Sequence, residues 1–143
     1  MRDGSSEIKV ISAFPYTNIG SATTTAGTVI DTRGFDSLTF AIHVTTNSAA
    51  GGSTLYPLLE DDDAVGMGTL ETVAAADLVG TIAGATFAIT DDDTTKKIGY
   101  RGKKRFVRLS IVTTGFGSGA CPTYAFAILG EGSQEPNVQA VAL

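Results

Sequence analysis

The chain has 143 residues, a formal net charge of −5, 17 glycines and one cysteine. This length fits a single domain, and a domain of this size buries about 70% of its unfolded surface without help from metals or disulfides. A lone cysteine excludes an internal disulfide, no window reaches the ~20 apolar residues of a membrane helix, and the acidic balance argues against nucleic acid as a partner for the whole surface.

Short apolar segments between turn residues predict strands along the first half of the chain. These strands cover residues 7–14, 28–32, 37–46 and 54–59. Pro15 is expected to end the first strand, and residues 16–26 are expected to form a loop. The clearest alternation is at 37–46, where every second side chain is large and apolar and is predicted to face the core: Leu38, Phe40, Ile42 and Val44.

The second half follows the same pattern, with predicted strands at residues 71–74, 85–90, 95–100, 105–113 and 122–129. Residues 60–63 are expected to be an exposed acidic loop, and 101–104 to close a hairpin between the two neighbouring strands. The fold class is therefore all-β: a single-domain antiparallel sandwich, jelly-roll-like, with about eight strands. The sandwich covers residues 7–130, with arms at 1–6 and 131–143.

The most informative feature is a basic segment, residues 96–108, which contains no acid. It holds seven of the ten basic residues: Lys96, Lys97, Arg101, Lys103, Lys104, Arg105 and Arg108. Three interpretations are open, namely a solvated hairpin, a nucleic-acid contact with steep salt dependence, and a docking patch for an acidic protein surface. We favour docking, because the rest of the chain is acidic and residues 34–95 contain no Lys or Arg.

Residues with catalytic or metal-binding potential are few. His43 is the only histidine, which excludes a multi-histidine metal site within one chain. Strand alternation predicts that its side chain faces outward. The runs 61–63 and 91–93 are each three aspartates, which could attract calcium if the two loops met in space; solvated turns are favoured, and calcium binding stays open. Cys121 is expected to be structural. We predict no catalytic residue, no metal, no cofactor and no enzymatic activity.

Several segments resemble the small β-rich virion proteins encoded beside the major capsid protein in tailed double-stranded DNA bacteriophages and prophages. The resemblance spans residues 33–130 and is carried by RGFDSLTF (33–40), LLEDD (58–62), AAADLVG (74–80), KIGYRGKKRFVR (97–108) and AILG (127–130). It implies a capsid decoration, or cement, protein made in the host cytoplasm and located on the capsid exterior. The implied partners are the major capsid protein and further copies of the chain, as dimer or trimer, with no nucleic acid and no membrane.

Two segments are then predicted to form the protein interface. One is the basic segment, and the other is the apolar end of the C-terminal arm, with Val138, Val141 and Leu143. Two other functions remain open: a neck or tail connector, and a carbohydrate-binding module displayed on the virion.

Overall fold

The computed structural model describes residue 4, residues 6–49 and residues 51–132. Within these residues the chain forms ten strands and one short 3₁₀ turn at Ala75–Asp77. The strands are β1 Ile8–Ile19, β2 Thr24–Asp31, β3 Phe35–Val44, β4 Thr54–Asp62, β5 Glu71–Thr72, β6 Leu78–Val79, β7 Phe87–Ala88, β8 Thr94–Tyr100, β9 Phe106–Thr114 and β10 Cys121–Gly132.

The strands form two antiparallel sheets. The first sheet has the order β1–β10–β3–β8–β6, and the second has the order β2–β9–β4–β5, with β7 also paired to β4. Apart from β5 and β6, the first sheet has four strands in the order β1–β10–β3–β8, and the second has four in the order β2–β9–β4–β7, although β7, like β5 and β6, is only two residues long. The chain alternates between the sheets through β1–β4 and again through β7–β10, which is the arrangement of a jelly roll. The predicted all-β sandwich is confirmed, with ten strands where about eight were expected.

One hydrophobic core lies between the sheets. The alternation predicted for β3 is confirmed, because Leu38, Phe40, Ile42 and Val44 are all buried. The second sheet contributes Val107, Leu109 and Ile111 of β9, which share one face and are fully buried. A period-2 pattern therefore sets the inward face of each sheet.

The prediction that Pro15 ends the first strand is wrong. β1 continues through Pro15 to Ile19, and β2 begins at Thr24, within the expected loop. β1 stands at the end of its sheet's strand order, and its pairing with β10 shifts register on both sides of Phe14. Edge positions and bulges are where a strand tolerates proline, since a ladder hydrogen bond is not required there.

The predicted hairpin across residues 101–104 is also wrong. β8 pairs with β3 and β6, whereas β9 pairs with β2 and β4, so the connection crosses from one sheet to the other. The predicted strands at 71–74 and 85–90 are present only as the short β5 and β7. Residues 60–62 are not an exposed loop but the end of β4, and only Asp63 of that run is exposed.

Candidate docking surface

Ion pairs within the chain use four of the seven cations of the basic segment. The pairs join Lys96 to Asp91 at 2.9 Å, Lys104 to Asp63 at 2.6 Å, Arg105 to Asp31 at 2.7 Å and Arg108 to Glu60 at 2.9 Å. The two exposed pairs, Lys104–Asp63 and Arg105–Asp31, contribute little to stability, about 0–1 kcal/mol each. They do, however, neutralise charges that were expected to face a partner.

The Arg108–Glu60 pair explains why a glutamate lies buried on β4. The two residues are register partners on neighbouring strands. Arg108 donates from Nε and Nη2 to Glu60 Oε2 at 3.0 and 2.9 Å, and Ser110 Oγ donates to the same oxygen at 2.8 Å. A buried carboxylate needs such donors, because an unpaired one loses its hydration without compensation.

Asp61 points the other way, into the end of the sandwich. The Tyr100 hydroxyl donates to Asp61 Oδ2 at 2.9 Å and accepts the backbone N–H of Lys104 at 3.0 Å. Burial, together with this hydrogen bond to a carboxylate, raises the pKa of the Tyr100 hydroxyl above its usual value. Since Tyr100 belongs to β8 and Asp61 to β4, the bond ties the two sheets together where the chain crosses between them.

Two further carboxylates hold local structure. Asp62 accepts the backbone N–H groups of Ala64 and Thr69, at 3.1 and 2.8 Å, and these bonds lower the pKa of its carboxyl group. Asp31 accepts both Nε and Nη2 of Arg105 in a bidentate pair, which lowers the pKa of Asp31 to about 2. Both carboxylates are therefore engaged in structural contacts.

Lys97, Arg101 and Lys103 are the members of the basic segment for which the described residues provide no ion pair. Arg101 Nε donates only to the backbone oxygen of Ala76, at 2.9 Å. Lys103 lines an open depression of about 410 Å³, whose wall also includes the acids Asp61, Glu71 and Asp77. The predicted patch is thus reduced to three available cations, with Arg101 and Lys103 on the crossing between the sheets and Lys97 on the outside of the first sheet.

The two aspartate runs do not meet. Asp61 contacts Tyr100 at the end of β8, whereas residues 91–93 precede its first residue, about 20 Å away at 3.3 Å per residue. Asp91 accepts the Ala88 N–H, which lowers its pKa, and Asp92 accepts the Asn47 N–H at 2.6 Å. Across the part of the chain that the structure describes, no three His, Cys, Asp or Glu side chains are grouped to hold a metal ion.

An aromatic group on the outer face of the first sheet was not identified from the sequence. The ring centroids of His43 and Tyr124 are 5.0 Å apart, and those of Tyr124 and Phe126 are 5.8 Å apart. Phe126 is 43% exposed. The sequence predicts an outward position for His43, but only the register Tyr124↔His43 shows that this side chain lies beside the aromatic residues of β10.

Comparisons with known proteins bear on the fold. No protein-family model and no curated protein matches this sequence. A similar solved structure is described as that of infectious bursal disease virus, Gx strain, and one of its chains aligns with a TM-score of 0.51 at 15% sequence identity. The alignment covers 90% of this chain and 33% of that chain, so this chain spans about a third of its length. At this identity the likeness concerns the fold alone.

Cys121 is buried, as expected for a structural residue. Burial raises the pKa of its thiol, which disfavours the reactive thiolate.

Two further points concern the C-terminal arm and membrane-spanning segments. Val138, Val141 and Leu143 lie outside the described residues, so their predicted role at an interface stays a prediction. None of the helical residues described forms a segment long and apolar enough to cross a membrane.

Proposed function

We propose that this chain is a virion structural protein that binds the outer surface of a tailed-phage capsid and reinforces contacts between capsid subunits. The observation that carries the proposal is the jelly-roll arrangement, a fold class used by viral capsid domains, together with its likeness to a chain in a virus structure. The bacteriophage assignment comes from the sequence resemblance over residues 33–130.

The role is mechanical and not enzymatic. A rigid sandwich bridges neighbouring capsid subunits, and its partners are the major capsid protein and other copies of the same chain. Each contact adds modest binding energy, but once one subunit is bound the second contact becomes effectively intramolecular. Buried Cys121 and the single histidine on an outer sheet face favour this role over catalysis.

We assign docking on an acidic capsid surface to Arg101 and Lys103, two cations that have no ion pair to any described residue. Arg101 and Lys103 lie close together on the crossing between β8 and β9 and are both exposed. Lys104 is a poorer candidate, because its ammonium group is held by Asp63. A surface patch of this kind sets orientation and association rate more than it sets affinity.

The test is charge reversal, with Arg101→Glu and Lys103→Glu examined separately on shells assembled from the major capsid protein encoded with this chain. We expect each variant to bind about two- to fivefold more weakly at low salt, because one exposed ion pair contributes up to about 1 kcal/mol. Co-sedimentation measures the occupancy. Lys9→Glu is the matched control, since Lys9 is an exposed cation on β1, at the far edge of the first sheet.

Equal occupancy for all three variants would rule out docking through the crossing. Absence of any binding by the unchanged chain would contradict the decoration function itself. Counting copies per particle then separates decoration from a neck or tail connector, because decoration requires hundreds of copies and a connector about six or twelve.

A carbohydrate-binding module is the second candidate, and the outer face of the first sheet favours it. Jelly rolls also form lectin domains, and Tyr124, Phe126 and Asp93 offer aromatic faces and a carboxylate on one surface. Binding of the purified chain to a glycan array would support this function. Shell binding without glycan binding would support the structural one.

A further inference from the structure

We propose that two copies of this chain pair face to face through the outer surface of the first sheet, around a twofold axis that passes by Tyr124 and His43. The inference rests on the self-association included in the proposed function and names the surface that carries it. It does not depend on the contact with the shell, which we assign to Arg101 and Lys103.

Three rows of outward residues define this surface, which we call the pairing face. The middle row contains Tyr124, His43 and Thr95, which are register neighbours on β10, β3 and β8. One row further along the strands come Phe126, Ala41 and Lys97. One row in the opposite direction come Pro122, Thr45 and Asp93, joined by the backbone bonds Thr45 N to Pro122 O and Asp93 N to Thr45 O, at 3.1 and 2.9 Å.

The charges on the pairing face are placed for self-complementarity. Lys97 lies in the row on one side of the middle row and Asp93 in the row on its other side, and both are on the outer face of the first sheet. A twofold axis lying in the interface along the middle row exchanges these two rows between copies. Lys97 then faces Asp93 of the partner subunit, and the symmetry creates this ion pair twice.

Both charges are available for this contact. The Asp93 side chain is 91% exposed, and its contact within the chain is with His43 Nε2 at 3.4 Å. Lys97 is exposed and has no ion pair to any described residue. Isolated charges on an otherwise uncharged face disfavour burial against an apolar surface, but they favour a partner with the opposite charge at the matching position.

The uncharged residues match under the same axis. Phe126 of one copy faces Pro122 of the partner subunit, and Ala41 faces Thr45 of the partner subunit, so a large side chain meets a flat ring and a small one meets a small one. Because Tyr124 and His43 lie on the axis, each faces the same residue of the partner subunit. Facing sheets cross at about 30°, which displaces residues one row from the axis by only a few Å, within reach of a lysine side chain.

The size of the pairing face predicts a weak dimer. Three strands at about 4.8 Å spacing and five residues at about 3.3 Å give roughly 240 Å² of projected area per copy, compared with about 800 Å² of accessible surface buried per partner in a stable complex. The free chain is therefore expected to dimerise reversibly and only at high concentration. On a shell, where copies are held close together, the same contact is strengthened by effective concentration.

The experiment is a charge-swap series measured by sedimentation velocity over a range of concentrations. Lys97→Asp places an acid opposite Asp93, and Asp93→Lys places a cation opposite Lys97, so each variant alone should dimerise at least about tenfold more weakly than the unchanged chain. An equimolar mixture of the two variants restores both ion pairs and should form a heterodimer. Lys103→Asp, which makes the same charge change away from the pairing face, should dimerise normally.

A second measurement does not depend on Asp93→Lys, which places lysine at a φ of +46°. Thr95→Cys on the pairing face should cross-link to its own copy through a short bismaleimide, whereas Thr24→Cys on β2 of the second sheet should not. Buried Cys121 does not compete for the reagent.

A strictly monomeric unchanged chain, a Lys97→Asp variant that dimerises normally, or preferential cross-linking through Thr24→Cys would each overturn the proposal. These outcomes are distinct from failure of the proposed function. A monomer whose shell binding still weakens on Lys103→Glu would remove the pairing face and leave the docking assignment intact.

Discussion

Three consecutive acids at the end of β4 each depend on a different set of donors. Glu60 faces outward and binds Arg108 and Ser110, while Asp61 faces inward and binds Tyr100. Asp62 faces outward again and binds backbone N–H groups of the loop that follows it. Strand alternation separates neighbouring side chains onto opposite faces, so three acids in a row need not repel one another at close range.

Replacing Tyr100 with phenylalanine tests the inward member of this set. Tyr100→Phe leaves the Asp61 carboxylate, only 8% exposed, without its hydroxyl donor, and leaves the Lys104 N–H without its acceptor. We expect the free energy of unfolding to fall by about 1–3 kcal/mol, the usual cost of orphaning a buried polar group. Urea unfolding at neutral pH measures it.

Tyr16→Phe is the matched control, because Tyr16 is 65% exposed on β1 and loses the same hydroxyl group. Its effect should lie within about 0.5 kcal/mol. If the two variants unfold at the same urea concentration, the Tyr100–Asp61 bond is not a structural tie between the sheets.

The donors explain why the sequence did not predict this site. A run of four acids predicts a solvated loop, because each residue is strongly polar and none has a cation near it in the sequence. The donors to Glu60 and Asp61 lie 39 to 50 residues away, on β8 and β9. Only the pairing of β4 with β9 and the packing of the two sheets bring them within hydrogen-bonding distance.

At the scale of elements, the strand faces were predictable and their pairing was not. In β3 the alternation between apolar and polar residues alone identified the buried side, whereas β9 has apolar residues on both faces. The residues 101–104 contain turn formers, but a hairpin and a crossing between sheets both need a turn there. Pro57 lies on β4 between the positions paired to β7 and those paired to β5, where no third described strand is hydrogen-bonded to β4.

Gly27 lies where β1, β2 and β9 approach one another closely. It lies where the β2–β9 register shifts, between Ala26 and Val29, and a Cβ at this position would overlap the backbone oxygens of Ala13 and Leu109. We expect Gly27→Ala to lower the free energy of unfolding by about 1–3 kcal/mol, since the backbone of β1 or β9 must move. Chemical denaturation of the purified chain gives the value.

Gly117→Ala is the control for this substitution, because an added Cβ there meets nothing within 4 Å. We expect it to leave stability within about 0.5 kcal/mol of the unchanged chain. Equal destabilisation by both variants would mean that loss of glycine, and not the crowding of β1, β2 and β9, is responsible.

At the scale of the whole molecule, composition and periodicity were sufficient for the class of fold. Short strands, many turn residues and no helical period predict two packed antiparallel sheets. The pairing face was not predictable, because its residues come from β3, β8 and β10 and from the turn before β8. Its charge pattern exists only once the register of those strands is known.

The C-terminal arm begins later in the chain than the sequence predicts. The arm was expected to begin at residue 131, but β10 continues to Gly132, which pairs with Phe35. A truncation should therefore remove residues 133–143 only, and it then leaves every described strand complete. We expect the thermal midpoint of the truncated chain to be unchanged, because no described core residue is lost.

Shell binding should respond differently. Val138, Val141 and Leu143 each provide an apolar side chain whose burial against a partner would contribute about 1.5–3 kcal/mol, so truncation should weaken retention on shells by at least about tenfold. The full-length variant with all three residues changed to serine is the control for arm length, and it should weaken retention to a similar degree if apolar burial is the cause. If the serine variant is retained normally while the truncated chain is released, attachment depends on the backbone or polar groups of the arm and not on its apolar side chains. Full retention of both proteins would remove the arm from the mechanism and leave the crossing between β8 and β9 as the attachment site.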